Sequence, residues 1–421
     1  MTITLFSTLF IASLCVTTLC RVWLARRQLA HIAAHRELVP QAFHEQIGLQ
    51  AHHKAADYTS AKTRLSLLSA LFDALLLLAF TLGGGIQWIA QYAAQTFASP
   101  ILQGMATIGA YLLLSALLQS PFDLYRTFVI EARYGFNKMT LALYVADTLK
   151  GIALGVLLGL PLLYAVLWLM GRMGGAWWLY VLGVWVTFNL LLLYIYPTFI
   201  APLFNNFLPM QDASLKTRIE ALLARCGFTA QGLFVMDGSK RSAHGNAYFT
   251  GFGKSKRIVF FDTLLARLSA PEIEAVLAHE LGHFKHHHII QRLAFTFSMS
   301  LAILWLLAQL MHSPWFYQGL GVEMPVTQLA TALALLLFLV VLPVFSFLLH
   351  PLMSAYSRKH EFEADAYAVR QTGPTDLGNA LVKMYQDNAS TLTPDPLYSR
   401  FYDSHPPAGV RIARLRTLQG A

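Results

Sequence analysis

Charge is what this chain most lacks. Only 13% of its 421 residues are Asp, Glu, Lys or Arg, where a soluble globular chain carries about 25%. Cysteine is scarce too: Cys15, Cys20 and Cys226 are the three present, and none has C-x-x-C spacing. The first two lie in an apolar run and the third in a polar stretch. Neither a disulfide framework nor a thiolate metal site is therefore expected. Internal repeats and low-complexity tracts are missing as well.

Hydrophobic residues fill the space, at 56% of the chain, and they come in blocks. Seven segments are long enough to cross a bilayer, each needing about 20 residues. They fall near 2–20, 66–91, 101–121, 151–170, 176–199, 293–312 and 327–350. Gly83-Gly84-Gly85, Gln103 and Gly104 blur the ends of the second and third. Any one block could be a buried core helix; seven at this density read as a membrane protein.

Basic residues orient the spans, because Lys and Arg concentrate on the cytoplasmic side. Thirty of the thirty-one lie in the segments 21–64, 122–150, 200–292 and 358–416, which share one side if there are seven spans. The other side has only Arg172. The N-terminus is thus expected outside, with the C-terminus and the large loops cytoplasmic. The first segment has no basic residues before its apolar run and Arg21, Arg26 and Arg27 after it, which suits a retained helix rather than a secretory signal. The net charge of +9 is explained by anchoring beside anionic lipid, so no nucleic-acid partner is expected.

The chain divides into 1–199 with five spans, a cytoplasmic domain at 200–292, two spans at 293–350 and a cytoplasmic C-terminal part at 351–421. Within the first cytoplasmic domain, Ser214–Cys226 reads as an amphipathic helix closed by Gly227. Strands are expected over 232–236, 246–251 and 257–262. Ser269-Ala270-Pro271-Glu272 is a strong helix start, with Ser269 as N-cap.

That helix carries His279-Glu280-Leu281-Gly282-His283. Positions i and i+4 share a helix face, so both imidazoles can bind one zinc ion, with Glu280 beside them to take a proton from water. A third ligand is needed. The chain returns to the same side after two spans, at His360-Glu361-Phe362-Glu363-Ala364-Asp365. Glu361 and Asp365 share a face, whereas Glu363 points away. Glu361 can complete the ligand set, and Asp365 can accept a hydrogen bond from the far nitrogen of a ligand His. In isolation this is an ordinary charged helix face; its topological return favours the ligand reading. His286, His287 and His288 read as interfacial, with His287 nearest the face of His283.

These motifs, together with Lys240 to Phe249, Lys256 to Leu264, Ser404-His405-Pro406-Pro407, Arg411, Ala56 to Lys62 and Ile130 to Lys138, resemble the type I CAAX prenyl protease family of membrane-integral gluzincin zinc metalloproteases. The resemblance covers nearly the whole chain. It departs at 131–133, Glu-Ala-Arg, where the family more often has two acidic residues before a basic one. It implies a mainly α-helical membrane fold: seven transmembrane helices forming a barrel around a chamber, with a cytoplasmic α+β zinc-metalloprotease domain. It implies one zinc per chain on His279, His283 and Glu361, with Glu280 as catalytic base. It also implies Asp365 and Arg411 beside the metal groups, His405 stabilising the oxyanion, and Asn246, Ala247 and Tyr248 on an edge strand to which a peptide adds. The expected partners are membrane lipid and a peptide or protein substrate, lipidated or hydrophobic.

The compact loops look bacterial, which makes a bacterial inner membrane the expected location. A heat-shock quality-control metalloprotease of the HtpX kind shares both zinc motifs but has fewer spans. A seven-span transporter would pair polar residues inside its spans, and these spans are almost free of charge apart from Asp73. An intramembrane protease is disfavoured by the polar residues flanking His279–His283.

Overall fold

The computed structural model describes residues 1–229, 232–250, 257–325 and 329–419. Gly251, where the strand expected over 246–251 ends, Lys256, where one of the family-like segments begins, and residues 327–328, where the seventh span begins, lie outside them. Helices dominate. In chain order they are α1 (Ile3–Ala34), α2 (Leu49–Phe80), α3 (Gly85–Thr96), α4 (Pro100–Tyr125, extended by a π-helical segment Arg126–Glu131), α5 (Leu141–Arg172) and α6 (Trp177–Ile195). The remainder are α7 (Ala213–Cys226), α8 (Asp262–Leu265), α9 (Ala270–Lys285), α10 (His288–Leu310), α11 (Pro314–Gln318), α12 (Leu329–Ser346), α13 (His350–Thr372), α14 (Pro374–Asp387), α15 (Pro396–Tyr402) and α16 (Ala408–Gln419).

Among the described residues, seven helical segments are long and apolar enough to cross a membrane, as the sequence indicates. Their neighbours form a closed ring: α1 packs on α2, α2 on α4, α4 on α5, α5 on α6, α6 on α10, α10 on α12, and α12 on α1. At one end the ring is plugged by an apolar cluster that includes Phe10, Ile86, Trp177, Tyr317 and Leu337. There α12 runs so close to α4 that a Cβ on Gly104 would come within 2.5 Å of Ala332 Cβ. Towards the other end α1, α2, the end of α4 and the C-terminal segment line a chamber of about 700 Å³, with Tyr58, Lys62, Arg126, Tyr402 and His405 among its walls.

One span differs from the sequence expectation. The apolar run 66–91 is not one helix: α2 stops at Phe80, and Gly84 takes φ 80° before the separate α3. The helix also begins earlier, since its polar half, from Leu49, continues past the apolar stretch and lines the chamber with Tyr58 and Lys62.

A small α+β unit lies at the open end. A four-stranded sheet has the order β1 (Phe207–Pro209), β2 (Gly232–Met236), β4 (Arg257–Phe261), β3 (Ala247–Thr250). β2 and β4 run parallel, and β3 lies antiparallel on β4 with Tyr248 opposite Val259. Ile258 and Phe260 of the central strand pack with Leu222 of α7, Leu277 of α9 and Leu381 of α14. Burying each such side chain contributes about 1.5–3 kcal/mol.

Candidate metal centre

α9 starts where its sequence says it should. Ser269 caps it, Glu272 Oε2 accepts the Ser269 N–H at 2.7 Å to complete a capping box, and Pro271 sits in the first turn. From that fixed start, Ile273, Val276, Leu277 and Leu281 are buried, which turns His279 and His283 onto α13. The α9–α13 pair is the most extensive helix contact among the described residues. It is possible because Gly282 lies against Ala364, where a Cβ would come within 2.8 Å of the Ala364 Cα.

Three donors converge across that contact. His279 Nε2 and His283 Nε2 are 3.3 Å apart. Glu361 offers Oε2 at 3.4 Å from the first and Oε1 at 3.5 Å from the second. A tetrahedral zinc with bonds of about 2.0–2.1 Å has ligand–ligand edges of about 3.3–3.4 Å. Glu361 Oε2 is also buried without a hydrogen-bond partner, a costly state unless a cation completes it. The donor set fits a metal ion.

The surroundings favour positive charge between these groups. His279 Nδ1 lies 2.9 Å from Asp365 Oδ1, and Arg411 grips the same carboxylate, its Nε donating to Oδ2 at 2.9 Å. Burial works against charge on His279, yet the Asp365 hydrogen bond and the Glu361 carboxylate outweigh it and hold its pKa up at about 9. Burial, and then the neighbouring His279, push His283 down to about 3. Glu280 is raised, first by burial and further by the Glu361 carboxylate, so it takes up a proton more readily than a solvated carboxylate.

His405 reaches the cluster from the loop before α16, its Nε2 3.4 Å from Glu361 Oε1, while its ring faces the chamber. β3 is an edge strand. Asn246 precedes it, and its carbonyl accepts from Phe261 N–H at 3.0 Å. Backbone groups alternate along a strand, so Ala247 and Phe249 present theirs to the free edge, whereas those of Asn246 and Tyr248 turn inward. The Ala247 N–H is capped by Asn246 Oδ1 at 2.9 Å.

Two groupings lie beyond the sequence reading. Glu363 points away from the three donors, as expected, but meets His288 Nε2 at 2.9 Å, and His288 Nδ1 lies 3.0 Å from His283 Nδ1. The interfacial reading of His288 is therefore incomplete: its side chain is buried. Glu131, within the divergent 131–133 segment, accepts from Tyr58 OH at 2.6 Å and lies 3.5 Å from His244 Nε2. This joins α2 and α4 to the segment that leads into β3.

A chamber walled by membrane helices, with two His and a carboxylate converging beside a further Glu, defines an integral-membrane metallopeptidase. Comparison gives the same answer. Residues 28–206 match the family described as "CAAX prenyl protease N-terminal, five membrane helices", and residues 209–419 match "Peptidase family M48". CAAX prenyl protease 1 of Saccharomyces cerevisiae is 33% identical over 90% of this chain and 88% of its own. A homologue from Mus musculus is 30% identical over 95% and 92%. The crystal structure of S. mikatae Ste24p superposes with a TM-score of 0.91 at 33% identity, covering 97% of this chain and 99% of that one. The chain belongs to the CAAX prenyl protease family within peptidase family M48, and it is a membrane zinc metalloprotease.

Proposed function

We propose that this chain hydrolyses membrane-associated, prenylated CAAX-type peptides or proteins at a single zinc ion held by His279, His283 and Glu361. The observation that carries this is the convergence of three side chains: two imidazole nitrogens 3.3 Å apart and a carboxylate 3.4–3.5 Å from each, one of whose oxygens is buried without a hydrogen-bond partner. Bound there, zinc supplies a Lewis acid that acidifies water and polarises a carbonyl. Glu280 takes the proton from the attacking water and later returns it to the leaving amine. His405 Nε2 donates to the oxygen of the scissile carbonyl as charge develops on it, a term worth roughly 3 kcal/mol. Asp365 and Arg411 hold His279 in one tautomer. The outward backbone groups of β3 near Asn246, Ala247 and Tyr248 pair with the substrate, Asn246 Oδ1 yielding the Ala247 N–H.

The reading extends to placement. The charge asymmetry supports an N-terminus outside and a cytoplasmic active site, with 200–292 and 351–421 as the two cytoplasmic parts around the span pair 293–350. The compact loops support a bacterial inner membrane. The chamber supports a lipidated substrate, which can approach the site without full exposure to water. The test is metal analysis paired with cleavage of a prenylated CAAX peptide. Glu280→Gln should retain zinc and lose cleavage. Activity equal to wild type in that variant would refute the mechanism.

A further inference from the structure

The two converging histidines have their far nitrogens engaged by different means. His279 uses a carboxylate directly. His283 Nδ1 instead meets His288 Nδ1 at 3.0 Å, and His288 Nε2 meets Glu363 Oε2 at 2.9 Å. An ionised carboxylate only accepts, so His288 Nε2 carries a proton and donates it to Glu363. The neutral ring then offers a lone pair at Nδ1, into which His283 Nδ1–H donates. His283 is left with a bare Nε2, the form a metal requires.

We propose that His288 and Glu363 are a positioning relay that fixes the tautomer and ring orientation of His283. The proposal rests on the reading of His283 as a zinc ligand. The backbone is bent to build the relay. A straight continuation of α9 would bring His287, at i+4, to the face of His283. Instead His287 takes φ 57° and ψ 29°, a left-handed conformation that costs a non-glycine residue about 1–2 kcal/mol. The turn swings His288 back, and its ring is clamped by His360, stacked at 3.9 Å and 5°, with His286 on a nearly parallel plane at 5.6 Å. Lys359 steadies Glu363 at 3.8 Å.

The rival assignment is a second metal site, since donor atoms of His288, His360 and Glu363 lie within 4.8 Å of one another. The His288 and His360 rings lie in nearly parallel, separated planes, so their in-plane lone pairs do not converge on one ion. Both nitrogens of His288 are also already engaged, by His283 and Glu363. The geometry favours the relay.

The test uses the purified full chain: zinc affinity by chelator competition, and the absorption spectrum of the Co²⁺-substituted protein. His283→Ala should abolish stoichiometric binding. His288→Ala should keep one site but bind roughly 10- to 100-fold more weakly, with a shifted Co²⁺ spectrum. His288→Asn, whose amide oxygen can accept in place of Nδ1, should recover most of the loss. Glu363→Leu should weaken binding and Glu363→Gln should weaken it less. Should His288→Ala fail to fold, the Asn and Glu363 variants still decide. Wild-type affinity and spectrum in His288→Ala and Glu363→Leu would overturn the relay while leaving the zinc reading intact. So would a loss that Asn does not rescue, or two ions per chain falling to one. Wild-type binding by His283→Ala would instead sink the zinc reading itself.

Discussion

Gly282 carries no chemistry, yet the convergence of the site depends on it. Replacing it with Ala puts a methyl 2.8 Å from Ala364 Cα and 3.1 Å from the Ala364 carbonyl oxygen. Carbon atoms rest at about 3.5–4.0 Å, so the helices must part by roughly 0.7 Å or more. Neither neighbour can rotate away, because both are backbone. Glu361 sits less than one turn before Ala364 on α13, so a shift of that size breaks the 3.4–3.5 Å spacing to the two imidazoles. Overpacking of this kind costs about 1–3 kcal/mol, and if it is relieved by moving Glu361 off the metal it appears as roughly 5- to 150-fold weaker zinc binding. The assay is chelator competition on the full chain, with Gly378→Ala as control. Gly378 lies inside α14 with nothing within 4 Å of a new Cβ, so that change should leave zinc affinity untouched and add up to about 1 kcal/mol of stability. Zinc affinity in Gly282→Ala equal to wild type would refute the claim that this contact sets the ligand spacing.

Arg411→Ala leaves the buried Asp365 carboxylate without its cation, and thermal melting should report a loss of about 3–5 kcal/mol; Arg411→Lys should restore only part, because the grip is two-pronged. His287→Gly should stabilise the protein by about 1 kcal/mol by relieving the left-handed turn, with unchanged zinc affinity; a loss of stability would show that the turn is unstrained. Glu272 is pushed up by burial but pulled down further by Lys383 and the Ser269 amide, so its folded pKa lies below the ordinary 4.5. Its contribution is therefore present above that value and is lost as pH falls through the folded one. The stability gap between wild type and Glu272→Gln should close on acidification, and a gap that widens would contradict the assignment. A farnesylated peptide should be cleaved more efficiently than its unmodified form, and equal rates would remove the role proposed for the chamber.

The spans were legible because apolar density needs no tertiary information. The second was displaced because the run 66–91 continues across a Gly-rich break, while the polar start of α2 packs on α1 and lines the chamber. β1, three residues ending in Pro209, has no periodicity to find; it exists through its pairing with β2. At the site, helical spacing alone puts His279 and His283 on one face, whereas for Glu361 and Asp365 the same spacing needs the chain's return to that side after two spans before it points to a ligand. His405 and Arg411 are far from them in sequence and were reached only through family resemblance. His288 was hidden by phase: one residue at positive φ, His287, replaces the i+4 neighbour of His283 with the i+5 one.

One zinc ion is expected between α9 and α13. Anomalous diffraction at the zinc edge from crystals of the purified protein tests it most directly. A single peak is expected about 2.0–2.2 Å from His279 Nε2, His283 Nε2 and a Glu361 oxygen. A peak instead among His288, His360 and Glu363, or none in protein that cleaves its substrate, would contradict it.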